Sequence, residues 1–180
     1  MKKAVLILMI CIFLSGCEGK ETDGDVLSYQ ERAFEATLTV EVDEMTFSAF
    51  VSASAWQKDS GEARNISVTY TAPATLDGIK VTREHEVITA NVGGLPFDDK
   101  GDIYSSLIEF TDLFCITSKP HSLTLEGENT RAEIRREDGT LYSLLLSPKT
   151  DMPIQISAEK KTDAGTKRTC VRIESFVFTD

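Results

Sequence analysis

Residues 34–42 read FEATLTVEV. Phe34, Ala36, Leu38, Val40 and Val42 occupy every second position, with Glu35, Thr37, Thr39 and Glu41 between them, so one side of an extended chain is oily and the other wet. Strict alternation over nine residues predicts a β-strand with one buried face. Such a strand needs further elements to cover its oily side, and the sequence after it supplies them.

TFSAFVSASAW (46–56) alternates too, but Phe50 and Trp56 fall on the face opposite Phe47 and Val51, so neither face is wholly polar. KDSGE (58–62) is a turn, and RNISVTY (64–70) places Ile66, Val68 and Tyr70 on one face. After Pro73 come IKV (79–81) and VITANV (87–92), joined by the charged tip TREHE (82–86). The glycine pair Gly93-Gly94 is expected to end this meander. DIYSSLIEFTDLF (102–114) then changes period: Ile103, Leu107, Phe110 and Phe114 recur at helical spacing, and Tyr104 and Ile108 widen the stripe. Asp98, Asp99 and Asp102 stand where they would complement the start of that helix. Five more strands follow, SLTLE (122–126), RAEIRRE (131–137), TLYSLLLS (140–147), PIQISAE (153–159) and TCVRIESFVF (169–178), separated by turn-forming GEN, EDG, SPKTDMP and KTDAGTK. Upstream, DVLSYQERAF (25–34) offers Asp25 as an N-cap for a short helix with a partly apolar side. The expected fold is α+β and mostly antiparallel β, with about ten strands, an N-terminal helix and an inserted helix.

The first residues carry a different message. LILMICIFLSGCEG (6–19) lies in a chain that opens Met1-Lys2-Lys3 and runs apolar only from Ala4 to Leu14, short of the roughly 20 residues of a membrane span. A charged start, a short apolar middle and small residues before a cut site mark a secretory signal. Leu14-Ser15-Gly16-Cys17 resembles the bacterial lipobox, which implies cleavage before Cys17 and a diacylglyceryl group on its sulfur. The expected organisation is a signal peptide at 1–16, a lipidated cysteine with a hydrated tether at 17–25, and a single domain at 26–180. More than one acyl chain would hold the protein firmly on a membrane. The expected location is therefore the bacterial cell envelope, on the outer face of the cytoplasmic membrane or on an outer membrane.

Loss of Lys2 and Lys3 with the signal leaves 17 basic against 29 acidic residues, a formal charge near −12. That field disfavours nucleic acid and anionic headgroup surfaces as partners. Of the four cysteines, Cys115 and Cys170 remain in the domain; outside the cytoplasm they are either a disulfide or two unpaired thiols.

No constellation for catalysis emerges. His85 lies in the TREHE tip and His121 follows Pro120 in a loop, positions where a solvated side chain is the ordinary explanation. A zinc site would have to borrow Cys115 or Cys170 without any short ligand spacing. DDKGDIYSSLIE imitates a calcium loop at Asp98, Asp102 and Glu109, yet Lys100 and Ile103 stand where an acid or amide and a glycine are needed. GGLP lacks the lysine and hydroxyl of a phosphate loop, and neither a nucleophile elbow nor a dinucleotide fingerprint occurs. Asn65-Ile66-Ser67 fits a glycan acceptor, a site without meaning in most bacteria, and close acids such as Glu84 and Glu86 are expected by chance among 29. The sequence points to no enzyme, no metal and no cofactor.

VTYTAPATLDGIKV (68–81) resembles the strand, proline, strand passage of the bacterial lipoprotein-carrier superfamily, the LolA/LolB/RseB-like proteins, and GTLYSLLLSPKTDMPIQISAE (139–159) is similar to its late hairpin. The likeness extends over most of residues 26–178. It implies an antiparallel sheet curled into an open half-barrel, its hollow covered by helices and, in carriers, accepting acyl chains. Carriers tend to place an arginine immediately before the proline, where it helps hold the lid; here Thr71 and Ala72 precede Pro73, so no functional residue carries over by position. Phe50, Trp56, Ile103, Leu107, Phe110, Phe114 and Leu145 are the residues expected to face a hydrophobic ligand if the hollow exists. Two readings stay open: a binding module for an acyl chain or a lipidated partner, and a non-catalytic envelope interaction protein with a closed core.

Overall fold

The computed structural model describes residues 25–57, 61–98, 103–148, 152–163 and 165–179. The expected signal peptide and Cys17 lie outside the described residues, as do Asp99, Lys100 and Asp102 of the calcium-like run.

The chain forms β1 (Phe34–Val42), β2 (Met45–Ala53), β3 (Ile66–Ala72), β4 (Lys80–Glu84), β5 (Val87–Val92) and β6 (Leu95–Asp98). After a helical segment come β7 (Ser122–Glu126), β8 (Asn129–Arg135), β9 (Leu141–Leu146), β10 (Pro153–Thr162) and β11 (Gly165–Phe178). All belong to one antiparallel, unclosed sheet of eleven strands in the order β6-β5-β4-β3-β2-β1-β11-β10-β9-β8-β7. FEATLTVEV is its middle: β1 pairs β2 on one side and β11 on the other. The sheet curves as a half-barrel, with β6 and β7 as free edges.

The alternation sets which residues line the hollow. Phe34, Ala36, Leu38 and Val40 are buried in register with Ala53, Val51, Ala49 and Phe47 of β2, and the same face continues through Ile66, Val68 and Tyr70 of β3. On the other side it continues through Val171, Ile156 and Leu144. Inside the hollow lie α1 (Ile103–Ile108) and the 3-10 segment η2 (Glu109–Phe114), while the 3-10 turn η1 (Ser28–Glu31) precedes β1. Ile108, Phe110, Leu113 and Phe114 are buried against the sheet. Phe114 packs on Phe34 at 5.3 Å and Phe110 meets Phe47 edge-on at 5.6 Å between ring centres. Each such side chain contributes roughly 1.5–3 kcal/mol through burial.

Four sequence-based expectations need correction. Gly93-Gly94 does not end the meander; with φ of 59° and 86° it forms a two-residue hairpin turn, and LPFD beyond it adds an eleventh strand. The helix expected at Asp25 is a single 3-10 turn, since the Asp25 carboxylate binds the Leu27 amide at 3.0 Å and the chain becomes extended at Arg32. The inserted helix does not stay α-helical to Phe114: the Thr111 hydroxyl donates to the Ile108 carbonyl at 2.7 Å, three residues back, and the second half tightens to 3-10. Finally, β2 ends at Ala53, so Trp56 no longer follows the strand's alternation.

Candidate functional site

Between the sheet and the segment α1–η2 lies a cavity of about 710 Å³. It sits at the end of the half-barrel where the β1–β2, β3–β4, β8–β9 and β10–β11 connections turn. The register explains its floor: Val42 of β1 opposes Thr169 of β11, Thr169 opposes Ala158 of β10, and Ala158 opposes Tyr142 of β9. These small or half-apolar side chains leave space where Leu38, Val171 and Leu144 fill it further along the same strands. Leu107, Phe110 and Leu113 form the roof, and Pro73 and Leu76 close one side. The walls are mainly apolar and the rim is charged.

The roof is tied down by polar contacts from several strands. The Tyr70 hydroxyl donates to the Leu107 carbonyl. Arg83 of β4 reaches the Asp112 carboxylate at 2.8 Å and the Thr111 hydroxyl at 3.3 Å, and Lys167 of β11 reaches Glu109 at 2.8 Å. At the far end Arg64, 2% exposed, donates to three carbonyls: Ser54 and Arg32, each at 2.6 Å, and Phe114 at 3.2 Å. Its guanidinium also lies 4.6 Å from the Phe34 ring centre. Burial pushes Arg64 down to about 10, still far above neutrality, so it is a cation among carbonyl dipoles. Buried Gln30 adds a second tie by accepting the Ile116 amide at 3.1 Å. Burial also raises Tyr70 well above the usual tyrosine value and keeps its hydroxyl a donor.

Of the residues expected at a ligand, Leu107 and Phe110 line this cavity. Phe114 is fully buried against Phe34, because the 3-10 winding turns it into the core beyond the cavity. Phe50 is exposed on the outer face of β2, out of phase with Ala49 and Val51, and Leu145 lies out of phase with buried Leu144 and Leu146. Trp56 is buried in the segment after β2, its indole donating to the Glu62 carbonyl at 3.0 Å. These four are corrections to the expected set; the side chain of Ile103 is not described. Cys115 and Cys170 are free thiols. Cys115 neighbours Arg64, Arg83 and Asp112, whereas Cys170 neighbours Glu41, Arg168 and Arg172, so the two sulfurs occupy separate environments.

Arg64 and the rim have no counterpart among the residues expected from the sequence. Arg64 is two residues before Ile66 and therefore in phase with the buried face of β3, a signal that its charge masks.

No protein-family model matches this sequence, and no curated protein does. Solved structures do. An uncharacterized conserved protein from Thermus thermophilus is similar with a TM-score of 0.52 at 12% identity, over 87% of this chain and 85% of that one. MucB is similar with a TM-score of 0.50 at 10% identity, over 86% of this chain. The chain shares its fold with these two proteins. It spans 57% of the MucB chain. A LolA superfamily protein from Nitrosomonas europaea aligns over 86% of this chain and 92% of that one, with a TM-score of 0.47 at 11% identity. At such identities the likeness concerns the fold, not the residues of the cavity.

Proposed function

We propose that this protein is a non-catalytic envelope lipoprotein, anchored through Cys17, that holds a hydrophobic ligand such as an acyl chain between its sheet and the α1–η2 roof. One observation carries the reading: the 710 Å³ space is walled by Val42, Phe47, Leu107, Phe110 and Leu113 and opens through a charged rim. Its volume lies in the range of small-ligand sites, and an apolar wall with a polar mouth suits an amphiphile. A closed-core interaction protein would have had large side chains where Ala158 and Thr169 stand. The tether expected at 18–25, with a reach of roughly 15 Å, would keep the cavity close to a lipid supply.

A fluorescent fatty acid ester titrated into the full chain tests this reading. Saturable binding at micromolar concentration, with displacement by a non-fluorescent ester, is the expected result. Absence of binding, together with native mass spectra showing only the bare chain, would replace it with the envelope interaction reading.

A further inference from the structure

On the reading that the cavity holds an acyl chain, we propose that its rim selects a chain ending in an anionic headgroup, a carboxylate or a phosphate, gripped by Arg136 with Lys160. The inner faces of β8, β10 and β11 each lead to a cation at the mouth. Lys160 follows Ile156 and Ala158 at the inward positions of β10, and Lys167 precedes Thr169 and Val171 in the same phase of β11. Arg136, just past β8, continues the phase of buried Ala132 and Ile134. All three line the cavity.

Lys160 and Lys167 are also direct cross-strand partners. Like charges opposed in a sheet are destabilising unless countered; Glu109 counters Lys167 at 2.8 Å, while Lys160 has only a longer ion pair, 3.9 Å, with Asp138. The lysine pair lies one inward step, about 7 Å, beyond the Ala158–Thr169 pair of the apolar floor. A chain lying on that floor would bring its terminal group to the Lys160 ammonium, with Lys167, held by Glu109, on the neighbouring strand.

The carboxylates around the same mouth, Asp43, Glu109, Asp112 and Asp138, already have partners. Glu109 accepts Lys167 at 2.8 Å, Asp112 accepts Arg83 at 2.8 Å, Asp43 accepts the Arg168 amide at 3.1 Å and Asp138 accepts the Thr140 amide at 3.0 Å. Lys160 forms an ion pair with Asp138 at 3.9 Å, too long for a hydrogen bond. The Arg136 side chain donates one bond, to the Tyr142 hydroxyl at 3.2 Å; Asp138 and Asp112 act on its charge from further off, and among the described residues it forms no close ion pair. A guanidinium with spare donors beside a loosely held ammonium, in a chain of formal charge −10, is a local site for a planar or tetrahedral anion.

The test compares a fluorescent palmitate analogue with its methyl ester on the full chain, in wild type, Arg136→Gln and Lys160→Gln, with inorganic phosphate as a separate titrant. Arg136 is exposed, and ester binding reports whether each variant keeps the cavity. The acid should bind at least about tenfold more tightly than the ester, the worth of one charge-assisted hydrogen bond, and Arg136→Gln should remove most of that preference while ester binding is unchanged. Inorganic phosphate alone should bind far more weakly than the acid. Equal binding of acid and ester by the wild type would overturn headgroup selection and leave the acyl-chain reading intact. Phosphate binding as tight as the acid would overturn it in favour of a small-anion site, and failure of both lipids to bind would remove the cavity reading itself.

Discussion

The guanidinium of Arg64 donates to the carbonyl of Phe114 at 3.2 Å and so joins the entrance of β3 to the end of the roof segment. The same group holds the carbonyls of Arg32 and Ser54, which makes it the point where η1, β2 and η2 converge. Replacing it by leucine would strand three inward-facing carbonyls. Arg64→Leu is expected to cost about 3–5 kcal/mol, the range for breaking a buried charged network. Arg64→Lys should recover little, because one ammonium cannot reproduce a fork aimed at three acceptors. Urea unfolding measures both; a loss below about 1 kcal/mol in the leucine variant would show that the convergence carries no stability.

Arg64 is hidden in the sequence by its charge. RNISVTY displays Ile66, Val68 and Tyr70 plainly, and a charged residue at the start of a strand is usually solvated. The sheet at β1, β2, β3 and β9–β11 is legible because alternation marks it, and the expected mostly antiparallel, open half-barrel is the fold found. LPFD is not legible: it is four residues long, contains Pro96 and occupies an edge, where a missing amide donor is tolerated. In the site, Leu107 and Phe110 follow from helical spacing, but Phe114 does not, since the change to 3-10 winding depends on the Thr111 hydroxyl. The rim cations are in phase with buried neighbours yet sit past the last apolar residue, where alternation stops being a burial signal.

Alkaline stability should fall once the pH passes the ordinary tyrosine value of 10.0. Burial raises both Tyr29 and Tyr70 in the folded state, so at high pH the unfolded chain releases these protons first and is favoured. Below that value both states are protonated and neither tyrosine contributes a pH dependence. The slope is about 1.4 kcal/mol per pH unit for each tyrosine. Arg64, lowered to about 10, acts in the opposite sense, so the diagnostic is the difference between variants. In Tyr29→Phe/Tyr70→Phe the decline in thermal midpoint above that pH should flatten; an unchanged slope would exclude these residues as its cause.

Both domain cysteines should react as thiols without prior reduction. Cys115, pushed up to about 11 by burial, and Cys170, raised by the same cause, are protonated near neutrality. Alkylation at about pH 8 should be slow on the folded protein and complete in denaturant. Peptide mapping that finds Cys115 joined to Cys170 under non-reducing conditions would contradict the free thiols.

The anchor proposed at Cys17 has its own measurement. Bacterial cells expressing the full chain should incorporate labelled palmitate, and Cys17→Ala should abolish the label and release the protein from the membrane fraction. Unchanged labelling in the variant would reject lipidation at this cysteine.

Leu107 and Phe114 share the helical stripe of the sequence but have different surroundings, and that contrast separates a cavity from a core. Leu107 is partly buried and faces the open space, whereas Phe114 is fully buried on Phe34. Leu107→Glu puts a carboxylate where cavity water can solvate it, so the fold should survive with a loss of about 1 kcal/mol while fatty acid ester binding falls at least tenfold. Phe114→Glu forces a charge into a packed site and should cost about 4 kcal/mol or more, whatever the ligand. Leu107→Trp, which fills space without adding charge, should also displace the ester and raise the thermal midpoint slightly. Equal destabilisation by the two glutamates would mean that Leu107 belongs to a closed core, and ester binding unaffected by Leu107→Trp would place any ligand elsewhere on the protein.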